Sequence, residues 1–259
     1  MEPSAEWVAY EHPLSERIRF LLRLEFLFAQ YEHERRDHSG WGVRAGLRTL
    51  LEMLSLMGRA DLKVDLTKDL SEQHAVLARL SKRPEGGQPH GAEMLKELSA
   101  AVHGLQRMSS SHPAMVLREN EFLFGILNRS AIPGGTCSFD LPAYHCWLSR
   151  PGNQSLRDLD TWFSYLRPID QAIRVYLRLL REGAAPVERT AEGGVYLHVP
   201  QASYQLVRVL VPAALGLFPE ISAGKHRVSI RFMQFGDVDS RNVQASVNVP
   251  FRLQFCLLS

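Results

Sequence analysis

The sequence predicts an α+β protein: a helical bundle rich in N-terminal residues, plus an antiparallel β-rich domain built mainly from the C-terminal third. Two observations carry this prediction. Apolar residues recur at spacings of three and four from Ile18 to Leu180, the period of a helix that buries one face. From Gly183 the texture changes, and short alternating runs rich in β-branched and aromatic residues take over.

Each element has its own signal. Ser15-Glu16-Arg17 is a helix start, and Ile18, Leu21, Leu22, Leu24, Phe26, Leu27 and Phe28 follow around most of the helix surface, which makes this first helix central. After a DHSG break, Val43, Leu47, Leu50, Leu51 and Leu54 form a second stripe; Leu62, Leu66, Leu70, Leu77 and Leu80 form a third beyond Gly58. The turn-rich RPEGGQPHG, Arg83 to Gly91, precedes a fourth stripe of Met94, Leu95, Leu98, Val102 and Leu105. Links this short make neighbouring helices antiparallel and predict a bundle. Pro113 ends that run, Val116 to Leu127 forms a short helix, and Asp140-Leu141-Pro142 offers an acidic N-cap for a helix over Pro142 to Leu148. Trp162, Leu166, Ile169, Ile173, Tyr176, Leu177 and Leu180 continue as one or two helices, broken or bent near Pro168. Strands are expected around Val195 to Val199, Leu206 to Val211, Val228 to Phe232 and Phe251 to Phe255. The helical domain is assigned to residues 15–112 and 155–182, and the β-rich domain to 1–14, 113–154 and 183–259.

Composition narrows the function. With 259 residues, 45% hydrophobic and 22% charged, the chain can bury a substantial core. No window approaches the ~20 apolar residues that span a bilayer, and MEPSAEWVAYEHPL lacks an apolar signal segment, so a cytoplasmic location is expected. Cys137, Cys146 and Cys256 are too few and scattered for a disulfide framework. Thirty basic against 28 acidic residues leave a formal charge of +2, which makes no global case for nucleic acid.

Catalytic templates fail. GxSxG, HExxH, Walker A and paired CxxC motifs do not occur, and Gly40, Gly42 and Gly46 break the GxGxxG spacing and follow a charged helix end. His145 beside Cys146, nine residues after Cys137, has the wrong spacing for common zinc sites, so no cofactor or metal is expected. Cys137 and Cys146 read as small core fillers, and Trp162, Phe163, Tyr165, Phe122 and Phe124 as packing. A hydrolase or transferase would have to work from Cys137, Asp140 and His145, the clustered polar trio.

The basic residues of the β-rich end are more suggestive. In KHRVSIRF, alternation puts Lys225, Arg227, Ser229 and Arg231 on one strand face and Val228, Ile230 and Phe232 on the other. From Lys225 onward five cations face two anions, with Arg252 on the polar face of FRLQF. Such a face is either ordinary solvated surface, a nucleic-acid-binding module, or a docking site for an acidic partner.

IPGGTCSFDLPAYHCWL at Ile132 to Leu148, with EHPL at Glu11, LRLEF at Leu22, GRADLKVDLTKDL at Gly58 and KHRVSIRF at Lys225, resembles the ZapD family of FtsZ-binding division-ring proteins. The resemblance implies a non-enzymatic adaptor: a homodimer whose two sites hold the C-terminal tails of FtsZ and so bundle filaments at the Z-ring during septation. It implies a pocket of Arg59, Arg227 and Arg252, with Arg231, Lys225 and Lys63 as neighbours. A peptide bearing carboxylates suits arginine, whose planar guanidinium can grip them bidentately. On this view IPGG and SFDLP are structural joints, and dimer contact through the helical domain leaves the basic sheet for the partner. The resemblance implies no cofactor and no nucleic acid.

Overall fold

The computed structural model describes residues 6–58, 61–81, 89–108, 117, 119–151, 153–224, 226–237 and 239–258. Expectations on Arg59, Lys225, Pro113, Val116 and most of the 83–91 breaker lie outside these residues. The protein is α+β, with its strands mainly in the C-terminal part. It divides into two compact units, one of Met1–Arg19 with Arg178–Ser259 and one of Phe20–Leu177. The boundaries fall inside two helices, α1 (Glu16–Glu34) and α8 (Arg167–Glu182).

The Phe20–Leu177 unit is helical. Beyond α1 it contains α2 (Gly40–Met57), α3 (Leu62–Leu80), α4 (Pro89–Gln106), α5 (Glu121–Ser130), α6 (Pro142–Leu148), α7 (Gln154–Ser164) and most of α8. It thus holds α5 and α6, residues that the sequence analysis groups with the β-rich domain. The stripes become its core: Leu21, Leu24, Leu47, Leu50, Leu54, Leu66, Leu70, Leu98, Leu105, Ile169, Ile173 and Leu177 are buried. The third stripe weakens along its helix, for Leu77 is half-buried and Leu80 exposed.

Polar side chains set the helix contacts. Thr49, fully buried on α2, donates to Glu34 Oε2 (2.7 Å) and accepts from Gln30 Nε2 (2.9 Å), which satisfies a hydroxyl that burial would otherwise penalise. The Tyr31 hydroxyl donates to Asp160 Oδ1 (2.9 Å), joining α1 to α7, and burial together with that carboxylate pushes the phenol well above its ordinary value. The glycines of SGWGVRAGL serve packing: Ser39 caps α2 by accepting from the Gly42 N–H (3.1 Å), a Cβ on Gly42 would strike the Asp37 carbonyl, and one on Gly46 would press on Leu159 and Tyr31. At α6 the expectation is corrected. Leu141 is the N-cap and caps with no side chain, while Asp140 pairs with Arg129 at 3.7 Å. Pro142 does sit in the first turn, where its missing N–H costs nothing.

The other unit is a two-sheet β structure. One sheet has the order β1-β4-β8-β2, with β1 (Trp7–Pro13), β4 (Leu206–Pro212), β8 (Val249–Cys256) and β2 (Val187–Ala191), antiparallel throughout. The second has the order β3-β6-β5, with β3 (Val195–His198), β6 (Val228–Gln234) and β5 (Leu217–Ala223), and β7 (Val243–Gln244) pairing β6. Val207, Val209 and Val211 on β4 and Val249, Phe251 and Leu253 on β8 share one core with Val228, Ile230 and Phe232 on β6. Phe232 meets Phe251 across the sheets, ring centroids 5.0 Å apart.

Candidate partner-binding site

Alternation decides which side chains of the β-rich unit reach solvent. With Val228, Ile230 and Phe232 turned into the core, Arg231 stands on the outer face of β6. Its guanidinium donates to Glu220 Oε2 (3.0 Å) on β5, the residue directly opposite in register. On β8, core-facing Phe251 and Leu253 put Arg252 on the outer face of the other sheet. There Arg252 pairs with Glu188 of β2 (3.3 Å), again directly opposite, and lies 4.3 Å over the Trp7 ring. Arg231 and Arg252 thus belong to outer faces of different sheets.

Arg227 departs from the strand expectation. Strand β6 begins at Val228, and Arg227 occupies the turn after β5, where its carbonyl accepts the Gly224 N–H (3.0 Å). A turn residue is freed from cross-strand pairing, and Arg227 is exposed and forms no ion pair among the described residues. The neighbouring Lys225 and, in the helical unit, Arg59 lie outside the described residues. Lys63 is half-buried at the start of α3, with Nζ donating to the Met108 carbonyl (2.8 Å) beyond the end of α4. Its ammonium already has a structural partner. Of the described members of this basic set, Arg227 has no ion pair among the described residues, whereas Arg231 and Arg252 each already donate to a glutamate.

The EHPL motif carries a charge cluster that no periodicity in the sequence signals. Glu11, in EHPL, accepts from Arg181 Nε and Nη2 (2.8 Å each) and from Arg208 Nε (2.8 Å). Arg208 also donates to Gln254 Oε1 (2.8 Å), and Gln254 Nε2 donates to the Arg181 and Ala184 carbonyls. Burial raises the Glu11 pKa, but hydrogen bonding to Arg181 and the charges of both arginines outweigh it and hold the carboxyl below its ordinary value. Burial and pairing on a sheet make this a structural clamp.

The side chains of Cys137, Asp140 and His145 make no hydrogen bond to one another, and Asp140 is engaged by Arg129. Two packing expectations are corrected here: Cys146 is exposed, because α6 turns Tyr144 and Trp147 inward instead, and Cys137, ahead of that helix, is only half-buried; His145 is exposed as well. Phe124 and Tyr165 are likewise exposed, unlike Phe163, which is buried. Cys256 is the buried cysteine, and burial pushes its thiol up to about 11. Among the described residues no cluster of side chains could hold a metal ion.

The ZapD family pattern, described as "Cell division protein", matches residues 22–231. The chain belongs to the ZapD family. It is 40% identical over 252 residues to the cell division protein ZapD of Azoarcus sp. (strain BH72), covering 97% of this chain and 100% of that protein. It is also 40% identical over 258 residues to ZapD of Aromatoleum aromaticum and 39% over 255 to ZapD of Methylococcus capsulatus, covering 97% of this chain and 98% of the relative each time. Membership gives this ZapD-family chain a role in cell division. Among the described residues no helix is long and apolar enough to cross a membrane.

Proposed function

We propose that the protein is a non-enzymatic adaptor that binds the C-terminal tail of FtsZ and, as a homodimer in the cytoplasm at the division septum, cross-links FtsZ filaments. Family membership supports the setting. The observation that supports the binding mode is Arg227, an exposed residue on a short turn and free of ion pairs among the described residues, so that its guanidinium can take a carboxylate of an acidic peptide. Arg231 and Arg252 assist with the N–H donors that their glutamate partners leave open, with Arg59, Lys225 and Lys63 completing the basic set. A two-fold dimer presents two equal sites, so weak single contacts add through effective concentration.

Cosedimentation with FtsZ polymers tests this reading. Wild-type protein is expected to pellet and bundle filaments only when the FtsZ tail is present. Arg227→Glu adds repulsion where attraction stood and is expected to abolish bundling without lowering the melting temperature, since the residue is exposed and outside the strand. Arg231→Glu and Arg252→Glu lose the cross-strand pairs to Glu220 and Glu188 as well, so their defects come with a small drop in stability. Bundling by the folded Arg227→Glu protein at wild-type concentrations would exclude this site.

A further inference from the structure

The helical unit has a second surface that the reading above does not use. Between α2 and the IPGG turn runs an open groove of about 640 Å³. Buried Leu47, Leu51 and Ile126 close its floor, and Arg44 and Glu52 stand on its rim with Ile132 of the turn. Ile132 is 51% exposed although its turn is tightly built. The Gly135 N–H donates to the Ile132 carbonyl (2.9 Å) and the Cys137 N–H to the Gly134 carbonyl (2.9 Å), while Gly134 has φ +73°. The turn thus holds an isoleucine side chain toward solvent at the rim of the groove.

Charge says what fits there. The Arg44 guanidinium carbon lies 4.9 Å from the Tyr144 ring centroid and 5.7 Å from that of Trp41, which is 78% exposed. Stacking of this kind holds a guanidinium by its faces and leaves the N–H edges open for bidentate hydrogen bonds. Among the described residues Arg44 has no ion pair, whereas its neighbour on the helix, Arg48, is paired with Glu52 (3.3 Å). An oriented guanidinium with no ion pair among the described residues, on the same rim as an exposed isoleucine, matches a carboxylate next to a branched apolar side chain.

We propose that the groove between α2 and the IPGG turn is a second docking site, for an acidic peptide segment of a partner protein that packs an apolar side chain against Ile132 and places a carboxylate on Arg44. It shares no residue with the basic turn proposed for the FtsZ tail. It accounts for the IPGG motif as the rim of a binding site as well as a joint.

The test is a titration of the full-length protein with a short synthetic peptide of alternating glutamate and leucine, followed by NMR at the Trp41 indole and the Ile132 amide. Saturable shifts at both are expected. The same peptide with glutamine for glutamate should bind about tenfold to a hundredfold more weakly, and so should the Arg44→Gln protein with the original peptide. Arg44→Lys, which keeps the charge and loses the fork, should fall between them. Ile132→Asp, a change at an exposed position, should weaken binding of the acidic peptide while the melting temperature holds. Equal affinity for the two peptides, or an unaffected Arg44→Gln protein, would overturn the proposal. So would conversion of a solution dimer to monomer by Arg44→Gln or Ile132→Asp, which would make this groove an interface between copies.

Discussion

Two adjacent glycines in the IPGG turn are needed for different reasons, and the difference is measurable. Gly134 has φ +73°, a conformation that costs an L-residue about 1 kcal/mol, but a Cβ there would meet only the Cys137 Sγ at 3.8 Å. Gly135 has no positive φ, yet its Cβ would lie 2.5 Å from the Arg129 carbonyl oxygen and 2.9 Å from Ile132 Cβ. Backbone oxygen cannot rotate away. Gly135→Ala is therefore expected to destabilise by about 2 kcal/mol and Gly134→Ala by about half as much, read as midpoints in urea. The sequence shows that a tight turn is present, since Pro-Gly-Gly permits little else. It does not show which glycine faces a backbone oxygen, because that depends on α5 lying against the turn. Arg227 is a similar case. Alternation in KHRVSIRF places its side chain away from the core, but strand pairing starts one residue later and gives it a turn instead.

At the scale of elements, the legible strands were those with a core on one face. Central β4, β6 and β8 bury three alternate side chains each and stand out in the sequence. Of the four sheet edges, β1, β2 and β5 carry no clean alternation: VERTA is almost wholly exposed, and LFPEISA includes Pro219 and Glu220. Edge strands bury less and tolerate proline and charge, which also protects them from pairing with other chains. The edge strand β1 is secured by chemistry that no periodicity reveals, namely Glu11 between Arg181 and Arg208. Removing its charge in Glu11→Gln is expected to cost about 2 kcal/mol, since two half-buried guanidinium groups lose their carboxylate. The folded-state pKa of Glu11 lies below its ordinary value of 4.5, so the stabilisation is complete above that value and is lost as pH falls through the lower, folded-state one. Thermal melts of wild type and Glu11→Gln should therefore converge as pH falls below 4.5 and separate fully by neutrality. A gap that is constant with pH would assign the loss to packing rather than to charge.

For the whole molecule, a formal charge of +2 on 259 residues means that, on the proposed reading, attraction to an acidic tail comes from placement rather than from bulk. Exposed ionic contacts are screened over a Debye length of ~10 Å at 0.1 M salt, so bundling should weaken as salt rises while the fold persists. Salt alone cannot distinguish one site per molecule from two. Mixing can. If bridging needs both subunits of a dimer, a dimer of one wild-type and one Arg227→Glu subunit holds a filament without joining it to another. After exchange of subunits, an equal mixture contains about one quarter doubly competent dimers, whereas it contains about one half of the original sites. Light scattering from FtsZ bundles should therefore fall roughly with the square of the wild-type fraction at constant total protein. A fall in simple proportion would mean that single subunits do the bridging, and the two-fold cross-linking mechanism would have to be abandoned even if Arg227 is the binding residue.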